Sequence, residues 1–194
     1  HEGGGVTRTL IRNCRVFDGT SHVLKSNTDV LVEGNRIAAV ESVPDVPENC
    51  VVLDGRGATL MPGLIDAHVH VYSPFIDERK CADLPPTLMA IHAARRLRSM
   101  LDRGFTTVRD VAGGDFGIKQ ALEEGLIPGP RLFISGRALS TTGGHGDNRK
   151  LTASLEASYS DSGNGLSMVT RVADGVSEVQ KAVRDELRKG ADHI

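Results

Sequence analysis

Two histidines separated by a single residue, His68 and His70, give the first indication of chemistry in this sequence. If their segment is a β-strand, both imidazoles project from one face while Val69 projects from the other. Neutral imidazoles in such a pair are good ligands for zinc or a related divalent metal. Asp66 lies on the same face, one step earlier, where a carboxylate can orient an imidazole. The alternative is two unrelated histidines on a half-exposed strand.

The segment that carries these histidines begins a region in which strands and helices alternate. The predicted strands cover residues 64–71, 105–110, 131–135 and 191–194, and the predicted helices cover residues 86–103, 116–124 and 176–189. Alternation with helix-length connections predicts a parallel sheet, either doubly wound or closed into a barrel. The glycine- and serine-rich residues 136–165 are predicted to form a long loop.

Apolar residues repeat at helical spacing in two of these helices, and we expect them to face the sheet. They are Leu88, Ile91, Leu97 and Met100 in the first helix, and Val176, Val179, Val183 and Leu187 in the last.

Charged residues near these elements are interpreted as structural. Arg95, Arg96 and Arg98 are predicted to lie on a solvated face of the first helix. Arg109 and Asp110 end the strand over residues 105–110, where a structural ion pair below the site is the expected role.

Residues 9–60 differ from the rest, because short strands joined by turns are predicted there. The predicted strands cover residues 9–11, 15–17, 29–32, 36–40 and 50–53. This spacing favours a small β-sandwich, and no helical periodicity competes with it. Residues 1–8 are expected to be a disordered remnant of an expression tag.

The composition is that of an ordinary globular protein, with 39% hydrophobic and 25% charged residues and a net charge of −2. No basic patch supports a nucleic-acid partner, and no apolar run is long enough to span a membrane. The three cysteines are few and widely spaced, so they predict reduced thiols and favour a cytoplasmic location. A signal peptide that had already been cleaved would leave no trace.

Four segments together resemble the amidohydrolase superfamily, most closely its Xaa-Pro dipeptidase (prolidase)-like and imidazolonepropionase-related branch. They are residues 51–54, residues 61–70 with the His-x-His pair, residues 103–110 (RGFTTVRD) and residues 143–145 (GGH). The resemblance extends from about residue 9 to residue 194.

This resemblance implies an α/β fold in which a (β/α)8 TIM-like barrel accompanies a small β-sandwich. Such a barrel needs about 250 residues, so residues 61–194 are expected to be the first half of a metal-dependent hydrolase barrel, with residues 9–60 as the sandwich. The resemblance further implies one or two divalent metal ions, most simply Zn²⁺, with His68 and His70 as ligands. A carboxylated lysine, two further histidines and a catalytic aspartate are expected beyond Ile194, and His193 is not counted as a ligand.

Three more residues receive roles within this resemblance. His145 is assigned a catalytic, substrate-binding role at the carbonyl or carboxylate of the substrate, because Gly144 and Gly146 would let the backbone approach a ligand. A loop histidine without a role is the alternative. Tyr72 and Ser73 follow the histidine strand and are predicted to line the substrate pocket, with exposed loop positions as the alternative.

The expected reaction is hydrolysis of the amide bond in a small N-acyl amino acid or dipeptide by metal-activated water. The C-terminal residue would be proline, a cationic residue or an aromatic residue, and ochratoxin-type amides belong to the last class. Alternatives are a cyclic-amide hydrolase that resembles imidazolonepropionase and a metal-free barrel that serves as a scaffold. The branch also implies a homo-oligomer, although these residues identify no interface.

Overall fold

The computed structural model describes residues 7–76, 81, 84–147, 149 and 169–194. The chain divides into two compact units, His1–Pro62 and Gly63–Ile194. The boundary predicted from the sequence lies between residues 60 and 61.

The first unit is a mixed sheet around one long strand. It contains β1 (Arg8–Val16), β2 (Lys25–Glu33), β3 (Arg36–Glu41), β4 (Cys50–Asp54) and β5 (Thr59–Leu60). Strand β1 pairs antiparallel with β2 on one side and parallel with β4 and β5 on the other, while β3 pairs with β2. The described strands therefore form one sheet and not the two layers of the predicted sandwich.

The two short strands predicted over residues 9–17 are in fact the single strand β1. Asn13 adopts a positive φ of 53°, and the register with β2 shifts between Ile11 and Cys14. A bulge of this kind absorbs an extra residue without ending the strand. Beyond the bulge, Cys14 and Val16 are buried with Val30 in a small apolar cluster.

The second unit contains a parallel sheet whose strands are joined by helices. Its elements are β6 (Leu64–Val69), α1 (Pro86–Asp102), β7 (Phe105–Asp110), α2 (Phe116–Glu123), β8 (Arg131–Phe133), β9 (Ala138–Ser140), β10 (Thr170–Val172) and α3 (Gly175–Arg188). Strands β6, β7 and β8 are neighbours in chain order, and β9 pairs with β10 in a separate parallel sheet. Strand β9 lies within the predicted loop over residues 136–165, of which residues 148 and 150–165 are outside the described part.

The core of this unit lies between the β6–β7–β8 sheet and helix α1. Two prolines open α1, as suits a first helical turn, which has no need of their missing N–H groups. The buried residues of α1 are Met89, Ala93, Leu97 and Met100. Of the predicted stripe, Leu97 and Met100 are buried as expected, whereas Leu88 and Ile91 are exposed and Met89 and Ala93 occupy the buried face instead.

Helix α3 also differs from its prediction. Val176, Val179 and Leu187 are exposed, whereas Ala182 and Glu186 are buried. The carboxylate of Glu186 accepts a 2.8 Å ion-pair contact from Arg137, which explains how a charged residue occupies the buried face.

The strand predicted over residues 191–194 is absent from the described structure of this segment. The Asp192 N–H donates to the carbonyl of Ile134 at 2.7 Å, as a neighbouring strand would. However, the Ile134 N–H donates to the Asp192 side chain at 2.8 Å. Because the Ile134 N–H is bonded to this side chain, it cannot donate the second backbone hydrogen bond that a β-ladder would need. The strands predicted over residues 64–71 and 131–135 likewise end two residues early, at Val69 and Phe133.

Candidate metal-binding and substrate site

The imidazoles of His68 and His70 lie side by side at the end of β6. Their ring centroids are 5.2 Å apart and the rings are nearly perpendicular, at 81°. Val69 and Val71 project the other way and are buried in the core, with exposures of 7% and 0%. The alternation of histidine and valine therefore anchors the strand through its apolar face and directs both imidazoles away from the core.

A strand irregularity sets the position of Asp66. In the pairing of β6 with β7, Asp66 is opposite Val108 and Val69 is opposite Asp110, so β6 has one extra residue between these points. The Asp66 carboxylate accepts the backbone N–H of His68 at 3.0 Å. The predicted contact of Asp66 with an imidazole is not the one observed; the carboxylate instead holds the backbone at the bulge.

Two arginines hold carbonyl groups of the same segment. Arg109 on β7 donates to the carbonyl of Ala67 at 2.8 Å, and Arg96 on α1 donates to the carbonyl of His70 at 3.3 Å. The sequence predicted a solvated Arg96, but its side chain binds the His70 carbonyl instead. Arg109 also binds a backbone carbonyl. Both side chains help to fix the strand end from which the imidazoles project.

Asp110, the last residue of β7, is fully buried. Its carboxylate accepts three backbone N–H groups, from Val71 at 2.7 Å, Ala112 at 3.0 Å and Gly114 at 2.7 Å. Desolvation raises the pKa of Asp110 to about 6, although these hydrogen bonds oppose the shift. Asp110 thus does not form the predicted ion pair; its carboxylate accepts hydrogen bonds from backbone N–H groups instead.

A cavity of about 440 Å³ opens next to the histidine pair. Of the residues proposed from the sequence, His68, His70, Ser73 and His145 line it. Asp66 and Tyr72 are not among the lining residues. The remaining wall consists of Cys81, Val111, Ala112, Ala138, Leu139, Ser140, Gly146, Val169 and Thr170.

Tyr72 lies in the core rather than in the cavity. Its side chain is only 3% exposed, and its hydroxyl donates to Asp115 at 3.1 Å. Asp115 also caps α2 by accepting the N–H of Ile118 at 3.0 Å. Desolvation raises the pKa of the Tyr72 phenol. The prediction that Tyr72 lines the substrate pocket is corrected accordingly, because its polar group is already used.

His145 projects from a loop that follows β9. The Ser140 hydroxyl accepts the Gly146 N–H at 3.1 Å, and the Thr170 hydroxyl donates to the Gly146 carbonyl at 2.8 Å. Both polar groups of the residue after His145 are therefore held by side chains of the small β9–β10 sheet. This arrangement fixes the backbone position from which the exposed His145 imidazole projects.

The glycines beside His145 have a packing role that differs from the one inferred from the sequence. A Cβ atom on Gly144 would lie 2.5 Å from the Ser140 Oγ, and one on Gly146 would lie 2.9 Å from the Ser140 Cβ. Both distances are shorter than side chains tolerate. The loop needs glycine at these positions in order to wrap around Ser140. This packing explains the two glycines without reference to a ligand.

The residues present fit a divalent metal in part. Two adjacent imidazoles are suitable ligands for zinc, which usually takes four ligands in structural sites and three protein ligands in catalytic ones. Among the described residues, however, no group of three or more histidine, cysteine, aspartate or glutamate side chains is arranged to hold a metal ion. The pair can therefore supply only part of a coordination shell.

Sequence reasoning missed the residues that organise the site from a distance. Asp110 ends the RGFTTVRD motif and Arg96 was noted in the first helix, but both were given other roles, and Thr170 is separated from Gly146 by 24 positions. His193 was not counted as a metal ligand. Its Nε2 is buried and has no hydrogen-bond partner in the part of the chain that is described. Burial, with a contribution from Arg109, lowers the pKa of His193.

Two further predictions concern the whole chain. Cys14, Cys50 and Cys81 are all free thiols, in agreement with the reduced state expected. Within the described ranges, no helix has the length and apolar character needed to cross a bilayer.

Comparison with known proteins places this arrangement in a family. Residues 59–194 match the model of the amidohydrolase family. The ochratoxinase of Aspergillus niger is 34% identical over 197 aligned residues, which cover 96% of this chain and 41% of that protein.

Solved structures agree with this match. A prolidase crystallised with N-methylphosphonate-L-proline is 43% identical with a TM-score of 0.85, and the alignment covers 95% of this chain and 45% of the prolidase. A second amidohydrolase is 44% identical with a TM-score of 0.87, over 97% of this chain and 46% of that one. The chain thus spans less than half the length of these relatives. Over that span, the chain belongs to the amidohydrolase family.

Proposed function

We propose that this chain is part of a metal-dependent hydrolase that cleaves the amide bond of a small N-acyl amino acid or dipeptide. The observation that carries the proposal is the convergence of His68 and His70, 5.2 Å apart, on a cavity that His145 also lines. The parallel, in-order pairing of β6, β7 and β8 is that expected of consecutive barrel strands, and the similarity to a solved amidohydrolase structure supports a (β/α)8 barrel.

The chain's own residues have distinct tasks in this reaction. His68 and His70 would bind a divalent metal, most simply Zn²⁺, which when bound acidifies a water molecule and polarises a carbonyl. Asp66 holds the backbone of His68, and Arg96 holds the carbonyl of His70. His145 would donate a hydrogen bond to the carbonyl or carboxylate of the substrate. Ser73, on the cavity wall, would contact the substrate as well.

The wall of the cavity favours an uncharged substrate group. Its lining residues include no lysine, arginine, aspartate or glutamate among the described residues. The apolar side chains of Val111, Leu139 and Val169 suit a proline ring or an aromatic group better than a cationic side chain. The prolidase bound to a proline analogue and the ochratoxinase support the same preference.

Metal content of the whole protein tests the proposal. His68→Ala and His70→Ala are expected to lose bound divalent metal and hydrolytic activity together, because each removes an imidazole ligand. His22→Ala is the matched control, since His22 is exposed in the first unit. A wild-type protein that contains no divalent metal and is unaffected by chelators would favour the scaffold alternative and reject the proposal.

A substrate panel tests the reaction class. It should compare N-acyl derivatives of L-proline, L-phenylalanine and L-arginine with an imidazolone propionate. Faster turnover of the first two is expected, and His145→Asn should raise KM for them. Cleavage of the cyclic amide alone would instead support the imidazolonepropionase-like reaction.

A further inference from the structure

Asp110 connects the histidine strand to the loop that follows β7. One carboxylate oxygen, Oδ2, accepts the N–H of Val71, the residue directly after His70, at 2.7 Å. The other oxygen, Oδ1, accepts the N–H groups of Ala112 at 3.0 Å and Gly114 at 2.7 Å. Each oxygen therefore serves a different segment of the chain.

The loop on the Oδ1 side is held firmly in place. The Gly113 N–H donates to the Gly136 carbonyl at 2.7 Å, and the Gly136 N–H donates to the Gly114 carbonyl at 3.1 Å. Packing is equally close, because a Cβ atom on Gly114 would lie 2.8 Å from both Cγ and Oδ1 of Asp110. The carboxylate thus has a fixed support from which Oδ2 can hold Val71.

Other contacts at this point end on carbonyl groups: the Val111 N–H donates to the Val69 carbonyl, and Arg96 and the Ser73 N–H donate to the His70 carbonyl. Strand β6 ends at Val69, so the backbone of His70 and Val71 leaves the sheet ladder. The Val71 side chain is fully buried, while its N–H depends on Asp110. A shift of the Val71 N–H would move the adjacent peptide group and turn the His70 imidazole away from His68.

We propose that Asp110 is a positioning residue for the metal-binding pair, which it orients through the Val71 backbone. This inference rests on the metal-dependent function proposed above. It assigns to a buried carboxylate a role at the metal site that does not require contact with metal or substrate. Partners of this kind typically change metal affinity by about 10- to 100-fold when they are removed.

Asp110→Asn separates this role from simple filling of the core. An asparagine keeps the size of the side chain but has one acceptor oxygen instead of two. Placing the amide oxygen at the Oδ1 position preserves two hydrogen bonds, whereas the reverse orientation preserves one. The favoured orientation therefore sets the amide NH₂ against the Val71 N–H, and the link to the histidine strand is the one that is lost.

Asp115→Asn is the matched control. Asp115 also accepts two hydrogen bonds, from Ile118 and from the Tyr72 hydroxyl, but both end on Oδ1. An amide oxygen can therefore keep both. The same chemical change is made a few residues away without breaking a link to the histidine strand.

The test measures Zn²⁺ affinity of the whole protein by competition with a chelator, together with thermal unfolding of the metal-free forms. We expect Asp110→Asn to bind Zn²⁺ about 10- to 100-fold more weakly and Asp115→Asn to bind it like wild type. Equal Zn²⁺ affinities in all three proteins would overturn the inference, even if Asp110→Asn were less stable. Wild-type protein without Zn²⁺ affinity would reject the underlying function instead, and the inference with it.

Gly114→Ala provides a second variant that keeps the carboxylate. Its Cβ atom would press on Oδ1 and displace Asp110 from the opposite side. If Asp110→Asn does not fold, the Zn²⁺ affinity of Gly114→Ala decides the question. Weaker binding supports a positioning role, and unchanged binding contradicts it.

Discussion

The hydroxyl of Thr170 donates a 2.8 Å hydrogen bond to the carbonyl of Gly146, the residue after His145. Thr170 is only 7% exposed, and Gly146 is buried as well. A threonine on β10 thereby fixes a loop that begins at the end of β9. The position of His145 consequently depends on a contact between segments that are far apart in the sequence.

Thr170→Val should weaken this support while preserving side-chain shape. The buried Gly146 carbonyl would lose its partner, which costs about 1–3 kcal/mol of unfolding free energy. If His145 binds substrate, we also expect KM to rise about fivefold, as the loss of roughly 1 kcal/mol implies. Denaturant unfolding and steady-state kinetics measure the two effects.

Thr28→Val is the control for this change. Thr28 is similarly buried, and its hydroxyl donates to the Ser26 carbonyl at 3.2 Å within the first unit. It should lose stability without a change in KM. A KM that is equally unchanged in Thr170→Val would argue against a substrate-binding role for His145.

Gly144→Ala should destabilise the same loop, because the new Cβ would overlap the Ser140 Oγ. Overpacking of this kind costs about 1–3 kcal/mol. Ser140→Ala removes the obstructing atom, so the double variant should be less damaged than the sum of the single effects, by about 0.5 kcal/mol or more. Unfolding free energies of the four proteins complete the cycle.

Gly143→Ala is the corresponding control. Its Cβ would contact nothing within 4 Å, but Gly143 has a φ of +69°. Its cost of about 1–2 kcal/mol comes from backbone strain and should add to that of Ser140→Ala without coupling. Coupling as large as that of Gly144 would show that the steric explanation is incorrect.

The pKa of Asp110 predicts a pH dependence of stability. Burial, with a smaller effect from the negative charge of Asp115, raises this pKa from 3.8 to about 6 in the folded protein. Protonated Asp110 therefore makes its full contribution to the free energy of unfolding below pH 3.8. This contribution is lost as the pH rises through about 6. The difference corresponds to at most about 3 kcal/mol.

Comparison with Asp110→Asn isolates this effect, because the variant lacks the titrating group while other carboxyls are common to both proteins. Between about pH 4 and pH 7, the unfolding free energy of wild type should fall relative to that of the variant. A difference that stays constant over this range, or moves in the opposite direction, is incompatible with a raised pKa.

Tyr72→Phe distinguishes the two roles considered for Tyr72. The variant loses the hydrogen bond to Asp115 but keeps the buried ring, so we expect a loss of about 1 kcal/mol in stability and no change in KM. Ser73→Ala is the comparison, since Ser73 lines the cavity and should affect KM instead. An increase in KM for Tyr72→Phe that matches Ser73→Ala would restore Tyr72 to the substrate pocket.

Local patterns in the sequence were enough to predict much of this arrangement. The alternation of His68, Val69 and His70 predicted two imidazoles on one face, because successive side chains of an extended segment project to opposite sides. The helices of the second unit were likewise predicted to within one residue at every end, because their start and stop signals are local. The amidohydrolase resemblance rested on such contiguous motifs.

Long-range contacts account for what sequence patterns did not predict. Asp110 is 39 positions from Val71, and Tyr72 is 43 positions from Asp115, so no short periodicity reports which of these groups will meet. A buried carboxylate can be satisfied by an arginine or by backbone N–H groups, and only the packing of β6 against β7 selects the second. The extra residue between Asp66 and Val69 arises in the same way. Local sequence thus determined that the two imidazoles share one face, whereas the folded chain determined what holds them there, because those supports come from segments that meet only after the sheet has formed.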